Sequence, residues 1–292
     1  MKKDPSLGVA ALQMADQGSP ATNRSRVEEL LRTAAQEGAQ VILPPELFDY
    51  PYFCQEEDPR YFEWARAREA HEGIARFREL ARELGVVIPY SFFEKAGQAH
   101  FNSVAMIDAD GSVLGVYRKS HLPDGPGYEE KFYFNPGDTG FRVWSTAHGH
   151  IGVGICWDQW FPEAARAMVL QGADLLLYPT AIGSEPEEPD FDSQPYWQRV
   201  MQGHAGANVV PLVAANRYGT EASTQRQIDF FGSSFICNQW GEKVAEAGRS
   251  EDAVLTATFD LHRIRQDRAN WGFFRDRRPE HYRSLLGLDG SG

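Results

Sequence analysis

The sequence predicts an α/β fold with mixed sheets, two of them inside and helices outside. Three observations carry that prediction. Short apolar, strand-like runs alternate with amphipathic, helix-like stretches along most of the chain. Three of the helix-like stretches stop at a glycine, at Gly38, Gly85 and Gly172. Two turn signals, Asp108-Ala109-Asp110-Gly111 and Asn238-Gln239-Trp240-Gly241, add hairpins to the parallel crossovers that the alternation implies. No Ser- or Gly-rich linker and no internal repeat interrupts the pattern. Residues 1–292 are therefore read as one domain.

In chain order, residues 7–14 form a short apolar run. Residues 24–38 carry Val27, Leu30, Leu31, Ala34 and Ala35 at helical spacing. Val41-Ile42-Leu43 is a strand stopped by Pro44-Pro45. Residues 61–84 read as one helix, and 86–93, 103–107 and 113–117 as strands. The pattern then repeats: strand 151–155, helix 162–171 opened by Pro162, strand 174–178, helix 196–208 and strand 209–214. Residues 230–236, 243–246 and 253–259 complete the strands. Residues 270–292 begin with aromatic and charged residues that have no period, and read as an extended tail lying on something.

Composition narrows the function. Of the residues, 42% are hydrophobic and 24% charged, which fits a folded globular chain and argues against disorder. Lys and Arg number 29 against 41 Asp and Glu, so the net charge is −12. That balance disfavours nucleic acid or an anionic membrane as partner. No apolar stretch approaches the roughly 18 residues of a membrane span. Cys54, Cys156 and Cys237 are scattered and odd in number, which excludes a disulfide scaffold and a zinc-ligand spacing. A cytoplasmic soluble protein is the expectation. There is no Walker loop, no G-x-G-x-x-G after a strand, no H-E-x-x-H and no G-x-S-x-G elbow, so no cofactor and no metal are expected.

Three reactive side chains occupy equivalent places. Glu46 follows Val41-Ile42-Leu43-Pro44-Pro45, Lys119 follows Val113-Leu114-Gly115-Val116-Tyr117-Arg118, and Cys156 follows Ile151-Gly152-Val153-Gly154-Ile155. Strand ends are where α/β folds place chemistry, so the three can converge. A thiol at a strand-to-helix turn meets free backbone N–H groups that stabilise negative charge. Glu46 suits a general base and Lys119 a fixed cation beside an oxyanion. Each also has an ordinary reading: a buried structural cysteine, a helix-initiating glutamate, a solvated lysine. His121 offers a Cys–His alternative, although no Asn or Asp is singled out as its orienting partner. Asp158 and Glu163 read as helix caps.

At these residues the chain resembles the nitrilase, or carbon–nitrogen hydrolase, superfamily. The segments are Leu43-Pro44-Pro45-Glu46-Leu47-Phe48, Tyr117-Arg118-Lys119-Ser120-His121-Leu122-Pro123 and Gly152-Val153-Gly154-Ile155-Cys156-Trp157-Asp158. Residues 124–128, 130–140, 157–166 and 178–186 are similar to those of members that hydrolyse N-carbamoylputrescine. The resemblance implies a four-layer α-β-β-α sandwich that assembles into homo-oligomers. It implies Cys156 as nucleophile, Glu46 as base and Lys119 as oxyanion stabiliser. It implies Glu130 as a supporting carboxylate and the Trp157 N–H as a second oxyanion donor. The implied reaction turns N-carbamoylputrescine into putrescine, ammonia and carbon dioxide, in polyamine synthesis from agmatine.

Alternatives are another carbamoyl-amine, a β-ureido acid or an ω-amide as substrate, a catalytically silent binding protein on the same fold, and a redox-sensing thiol protein. A cationic substrate needs a carboxylate. The loop 184–192 supplies five and no Lys or Arg. Glu185, nearest the strand end and inside the shared segment, is the first candidate to bind the amine; Asp124 and Glu129 stand in reserve. The tail, with Trp271, Phe273, Phe274 and its arginines, is expected in an oligomer contact.

Overall fold

The structure is a computed structural model that describes residues 6–291. The chain runs β1 (Ser6–Gln13), α1 (Pro20–Gln36), β2 (Val41–Leu43), α2 (Glu72–Leu84), β3 (Ile88–Ala96), β4 (Ala99–Ile107), β5 (Val113–Arg118), α3 (Glu130–Tyr133), β6 (Val143–Thr146), β7 (Gly149–Val153), α4 (Pro162–Leu170), β8 (Leu175–Pro179), α5 (Gln194–Asn208), β9 (Leu212–Ala215), β10 (Tyr218–Ala222), β11 (Gln227–Phe231), β12 (Phe235–Cys237), β13 (Lys243–Glu246), β14 (Ala253–Asp260) and α6 (Leu261–Trp271). Short 3-10 turns fill several of the gaps.

Strands β14-β1-β2 form one sheet, and a parallel bridge from Val41 to Val87 joins it to the antiparallel meander β3-β4-β5. The second sheet runs β13-β12-β9-β8-β7-β6, with β7, β8 and β9 parallel and antiparallel strands at both edges. Both sheets are thus mixed or joined to antiparallel strands, as the alternation of crossovers and hairpins predicts.

Strand periodicity sets the layers. On β1, Leu7, Val9 and Ala11 point into a core shared with Ile151, Val153, Leu175 and Leu177 of the other sheet. Ala10 and Leu12 point the opposite way, onto Val27, Leu30 and Leu31 of α1 and Phe77 and Leu80 of α2. On β8, Leu176 and Tyr178 face Met168 of α4 and Trp197 and Met201 of α5. The order is helix, sheet, sheet, helix. Strands buried on both faces read as continuous apolar runs, which is why β1, β2 and β8 are visible in the sequence. Each Val, Leu, Ile, Phe or Met among these contributes roughly 1.5–3 kcal/mol by its removal from water.

Three stretches differ from expectation. Residues 61–84 are not one helix. Pro59–Trp64 and Arg68–Ala70 are 3-10 turns, and α2 starts at Glu72, capped by His71. Tyr61, Phe62 and Trp64 pack with Phe53, Phe93 and Tyr133 in an aromatic cluster instead of continuing the α2 stripe. Residues 230–236 are two strands, because Gly232 (φ +55°) and Ser233 (φ +56°) turn the chain out of extended geometry. Finally, α6 occupies 261–271, so the expected tail begins inside its last turn. The start of the tail folds back: Trp271, the last residue of α6, packs on Trp240 with ring centroids 6.1 Å apart, and beyond α6 the Arg166 guanidinium lies 4.8 Å from the Phe274 ring. Among the described residues no helix is long and apolar enough to cross a membrane.

Candidate active site

Glu46 and Lys119 descend from the first sheet and Cys156 from the second. Glu46 stands three residues past β2, Lys119 one past β5 and Cys156 three past β7. All three are buried. The Lys119 Nζ donates to Glu46 Oε1 at 2.8 Å and to both oxygens of Glu130, at 2.8 and 2.7 Å. Glu130 opens the short helix α3 and takes a further bond from the Tyr52 hydroxyl at 2.9 Å. Asn102 Nδ2 donates to Glu46 Oε1 at 2.7 Å. Both bonds to the Glu46 carboxylate fall on Oε1; Oε2 is buried and unpartnered. A buried acceptor left open is costly in a purely structural carboxylate and suits a base awaiting a proton.

The loop that carries Glu46 is held from below. Arg217 Nη2 donates to the carbonyls of Glu46 and Leu47, at 2.9 and 3.2 Å, and Nη1 pairs with Glu221 at 2.8 Å. Leu47 takes a left-handed conformation (φ +47°), with its N–H on Ser91 Oγ at 2.9 Å. Burial by itself would lower the Lys119 ammonium. Glu130 and Glu46 more than offset that and hold it well above its ordinary value, so it is a permanent cation. Burial pushes the Glu130 carboxyl up to about 7, against the pull of Lys119.

Cys156 opens a 3-10 turn, Cys156–Trp160, with φ at +39°, a conformation that costs a non-glycine residue about 1–3 kcal/mol. Its thiol points to the Ala181 carbonyl at 3.8 Å. Burial first, and the Glu46 carboxylate second, push the thiol well above its usual range, while Lys119 pulls it down. The resting thiol therefore holds its proton, and to act as a nucleophile it would need a base to take it. Gly154 has no room for a side chain: a Cβ there would sit 2.8 Å from the Tyr178 ring. Trp157 lies in the first turn after the thiol, where backbone N–H groups have no partner inside a helix.

A cavity of 520 Å³ opens onto Cys156. Trp157, Trp160, Tyr128, Phe191 and Tyr196 give it aromatic walls, and Glu130 reaches it from inside. Its other charged lining residues are Asp124, Glu185, Glu187 and Glu188; no lysine or arginine is among them. Of the three binding candidates, Glu185 lines the cavity half-buried, and burial pushes its carboxyl up. Asp124 also lines it but is half-exposed and 3.5 Å from Lys131. Glu129 does not line it: the side chain pairs with Arg226 at 3.0 Å. Its neighbour Glu130 takes the inward place, because successive residues at a helix start point in different directions.

His121 has an orienting aspartate after all, but the thiol's hydrogen bond goes to the Ala181 carbonyl and not to the imidazole. The ring lies flat on Phe161 at 3.5 Å, and Nδ1 is 2.7 Å from Asp158. Cys54 and Cys237 are buried, with thiols pushed up chiefly by burial, Cys237 to about 12. Asn102, Tyr52 and Arg217 complete the site without a motif to announce them. The one available sign is a polar Asn102-Ser103 pair between Phe101 and the apolar run 104–107.

Residues 8–269 match the family model described as carbon–nitrogen hydrolase. The chain is 59% identical to an N-carbamoylputrescine amidase of Solanum tuberosum, over 99% of this chain and 98% of that one. It is 52% identical to a citrullinase of Francisella tularensis subsp. tularensis, over 96% and 98%. A carbon–nitrogen hydrolase structure from Helicobacter pylori superposes with a TM-score of 0.91 at 41% identity, covering 97% of this chain and 99% of that one.

Proposed function

The chain belongs to the carbon–nitrogen hydrolase family, and from that premise we propose that it hydrolyses N-carbamoylputrescine to putrescine, ammonia and carbon dioxide. The observation that carries the substrate class is the charge of the cavity. Carboxylates line it and no lysine or arginine does, which suits an ammonium and leaves a substrate carboxylate without a partner. This favours a carbamoyl-amine over the β-ureido acid alternative, and over a ureido amino acid such as that named for the citrullinase relative.

In the proposed mechanism the free Glu46 Oε2 takes the thiol proton as Cys156 Sγ bonds to the carbamoyl carbon. The carbonyl π electrons move to oxygen. The oxyanion sits between the Trp157 N–H and the Lys119 ammonium, whose burial shields it from water. As the oxyanion collapses, the first C–N bond breaks and its nitrogen leaves with the proton from Glu46. Glu46 then takes a proton from water, whose oxygen attacks the Cys156 thioester carbon; the C–S bond breaks, carbamic acid or its N-alkyl form is released, and Glu46 returns the proton to the Cys156 Sγ. That acid loses carbon dioxide and frees the remaining nitrogen. Glu130 keeps Lys119 aimed. No step calls for a metal or cofactor.

Assembly belongs to the same proposal. Leu285, Leu286 and Leu288 are 62, 89 and 112% exposed at the end of the chain, and Trp271 is 58% exposed. Large apolar side chains left in water, three of them within four residues of sequence, suit an interface, and we assign them to a second copy in a homo-oligomer. Three free, buried cysteines suit a reducing compartment such as the cytoplasm. The functional test is ammonia release from N-carbamoylputrescine, N-carbamoyl-β-alanine, citrulline and an ω-amide at equal concentration. The amine substrate should lead; equal rates on the amine and the acids would reject the substrate assignment.

A further inference from the structure

One fully buried carboxylate accepts four hydrogen bonds from the two segments that bring nucleophile and cation together. Asp158, two residues after Cys156, takes the Ile155 N–H at 2.9 Å and the Tyr117 hydroxyl at 2.7 Å on Oδ2. On Oδ1 it takes the His121 N–H at 3.0 Å and His121 Nδ1 at 2.7 Å. Ile155 is the residue before Cys156; Tyr117 and His121 lie two residues before and two after Lys119. The Asp158 backbone closes the turn as well, with its N–H on the Ile155 carbonyl at 3.0 Å and its carbonyl receiving the Phe161 N–H at 3.2 Å. Phe161 is the ring on which His121 lies.

We propose that Asp158 is a positioning residue, whose carboxylate clamps the strained Cys156 turn to the Lys119 segment and fixes the thiol against the oxyanion cation. The role goes beyond capping. A cap needs one bond, to the Ile155 N–H, whereas three of the four come from the strand and loop that carry Lys119. Those segments belong to different sheets, so their relative position is otherwise set only by the packing between layers. Catalysis is sensitive at this scale, since a displacement of about 1 Å can cost about 10²-fold in rate. All four partners are donors, so the acceptor must be a carboxylate. A carboxamide would turn its own N–H groups toward one of the two donor pairs.

The inference rests on Cys156 being the nucleophile and Lys119 the oxyanion cation. Its test therefore has one readout tied to the substrate and one that is not. Asp158→Asn should lower kcat per titratable Cys156 on N-carbamoylputrescine by about 10²-fold, with KM within about threefold of wild type. It should also slow alkylation of Cys156 by iodoacetamide, measured by peptide mass, by more than about tenfold. A merely structural role would lower the melting temperature and the fraction of titratable enzyme and leave kcat per site unchanged. Should Asp158→Asn give no folded protein, Tyr117→Phe and His121→Ala each remove clamp donors and carry the test, with kcat per site falling about tenfold or more at unchanged KM. A folded Asp158→Asn with wild-type kcat per site, wild-type kcat in both substitute variants, or a rise in KM at constant kcat overturns the proposal. Failure of wild type on N-carbamoylputrescine would reject the substrate reading, and the alkylation rates would still decide the clamp.

Discussion

Glu185→Gln should cost the amine substrate far more than an uncharged one of the same reach. The carboxylate is half-buried on a cavity wall, and burial already disfavours its charge, so it is partly desolvated before any ligand arrives. An ammonium brought to it replaces that lost solvation. Breaking a desolvated charge pair on one side costs about 2–5 kcal/mol. Glu185 keeps substantial contact with solvent, so the lower part of that range, about 2–3 kcal/mol, applies. At about 1.4 kcal/mol per tenfold this is roughly a 30- to 140-fold loss in kcat/KM. The contact is remote from the reacting carbon, so most of the loss should fall on KM. The assay is steady-state ammonia release with N-carbamoylputrescine and with N-butylurea, which lacks only the terminal amine. Wild type should prefer the amine strongly, and Glu185→Gln should shrink the preference while leaving N-butylurea nearly unchanged. A preference untouched by Glu185→Gln would refute this anchor and shift it to Asp124; a preference untouched by Asp124→Asn as well would refute a carboxylate anchor altogether.

Other expectations are open to direct measurement. Iodoacetamide inactivation should track labelling of Cys156, because Cys54 and Cys237 are fully buried; inactivation with label on either of those instead would sink the nucleophile assignment. The oligomer should appear by light scattering at micromolar concentration, and Leu285→Ser with Leu286→Ser should weaken it; a monomeric wild-type mass would reject the interface. Burial lowers His71 to about 4, so below pH 6.5 the unfolded chain takes up its proton first and stability falls with pH down to about 4. By pH 5 the loss is about 2 kcal/mol. Asp49, 3.6 Å away and pushed up to about 6 by burial, acts in the opposite sense below pH 6. His71→Asn retains a capping side chain for α2 and removes the histidine's share. Its melting temperature relative to wild type should rise by about 4 °C between pH 7.5 and pH 5, and a constant difference would contradict the assignment.

What could be read in advance follows from where the signals live. The buried strands show because both faces are apolar. Glu46, Lys119 and Cys156 show because each is a reactive group after a strand-like run, marked by Pro44-Pro45, by the Pro- and Gly-rich loop after Lys119, or by Gly152 and Gly154. The partners of those groups do not show. Asn102 reaches Glu46 across 56 positions, and Tyr52 reaches Glu130 across 78. Which of two adjacent glutamates faces inward, Glu130 or Glu129, depends on how α3 seats against Lys119. The spacing of Tyr61, Phe62 and Trp64 imitates a helical stripe, yet their area is buried among Phe53, Phe93 and Tyr133. The Asp158–His121 pair looks in sequence like two unrelated local features and becomes a junction only when the two sheets stack.

The central claim is that Cys156, served by Glu46 and Lys119, breaks the carbamoyl C–N bonds of an amine substrate. The most direct test measures ammonia and putrescine formed from N-carbamoylputrescine by wild type and by folded Cys156→Ala. Equal molar amounts of the two products from wild type and none above background from Cys156→Ala are predicted. Substantial release by Cys156→Ala would contradict the account.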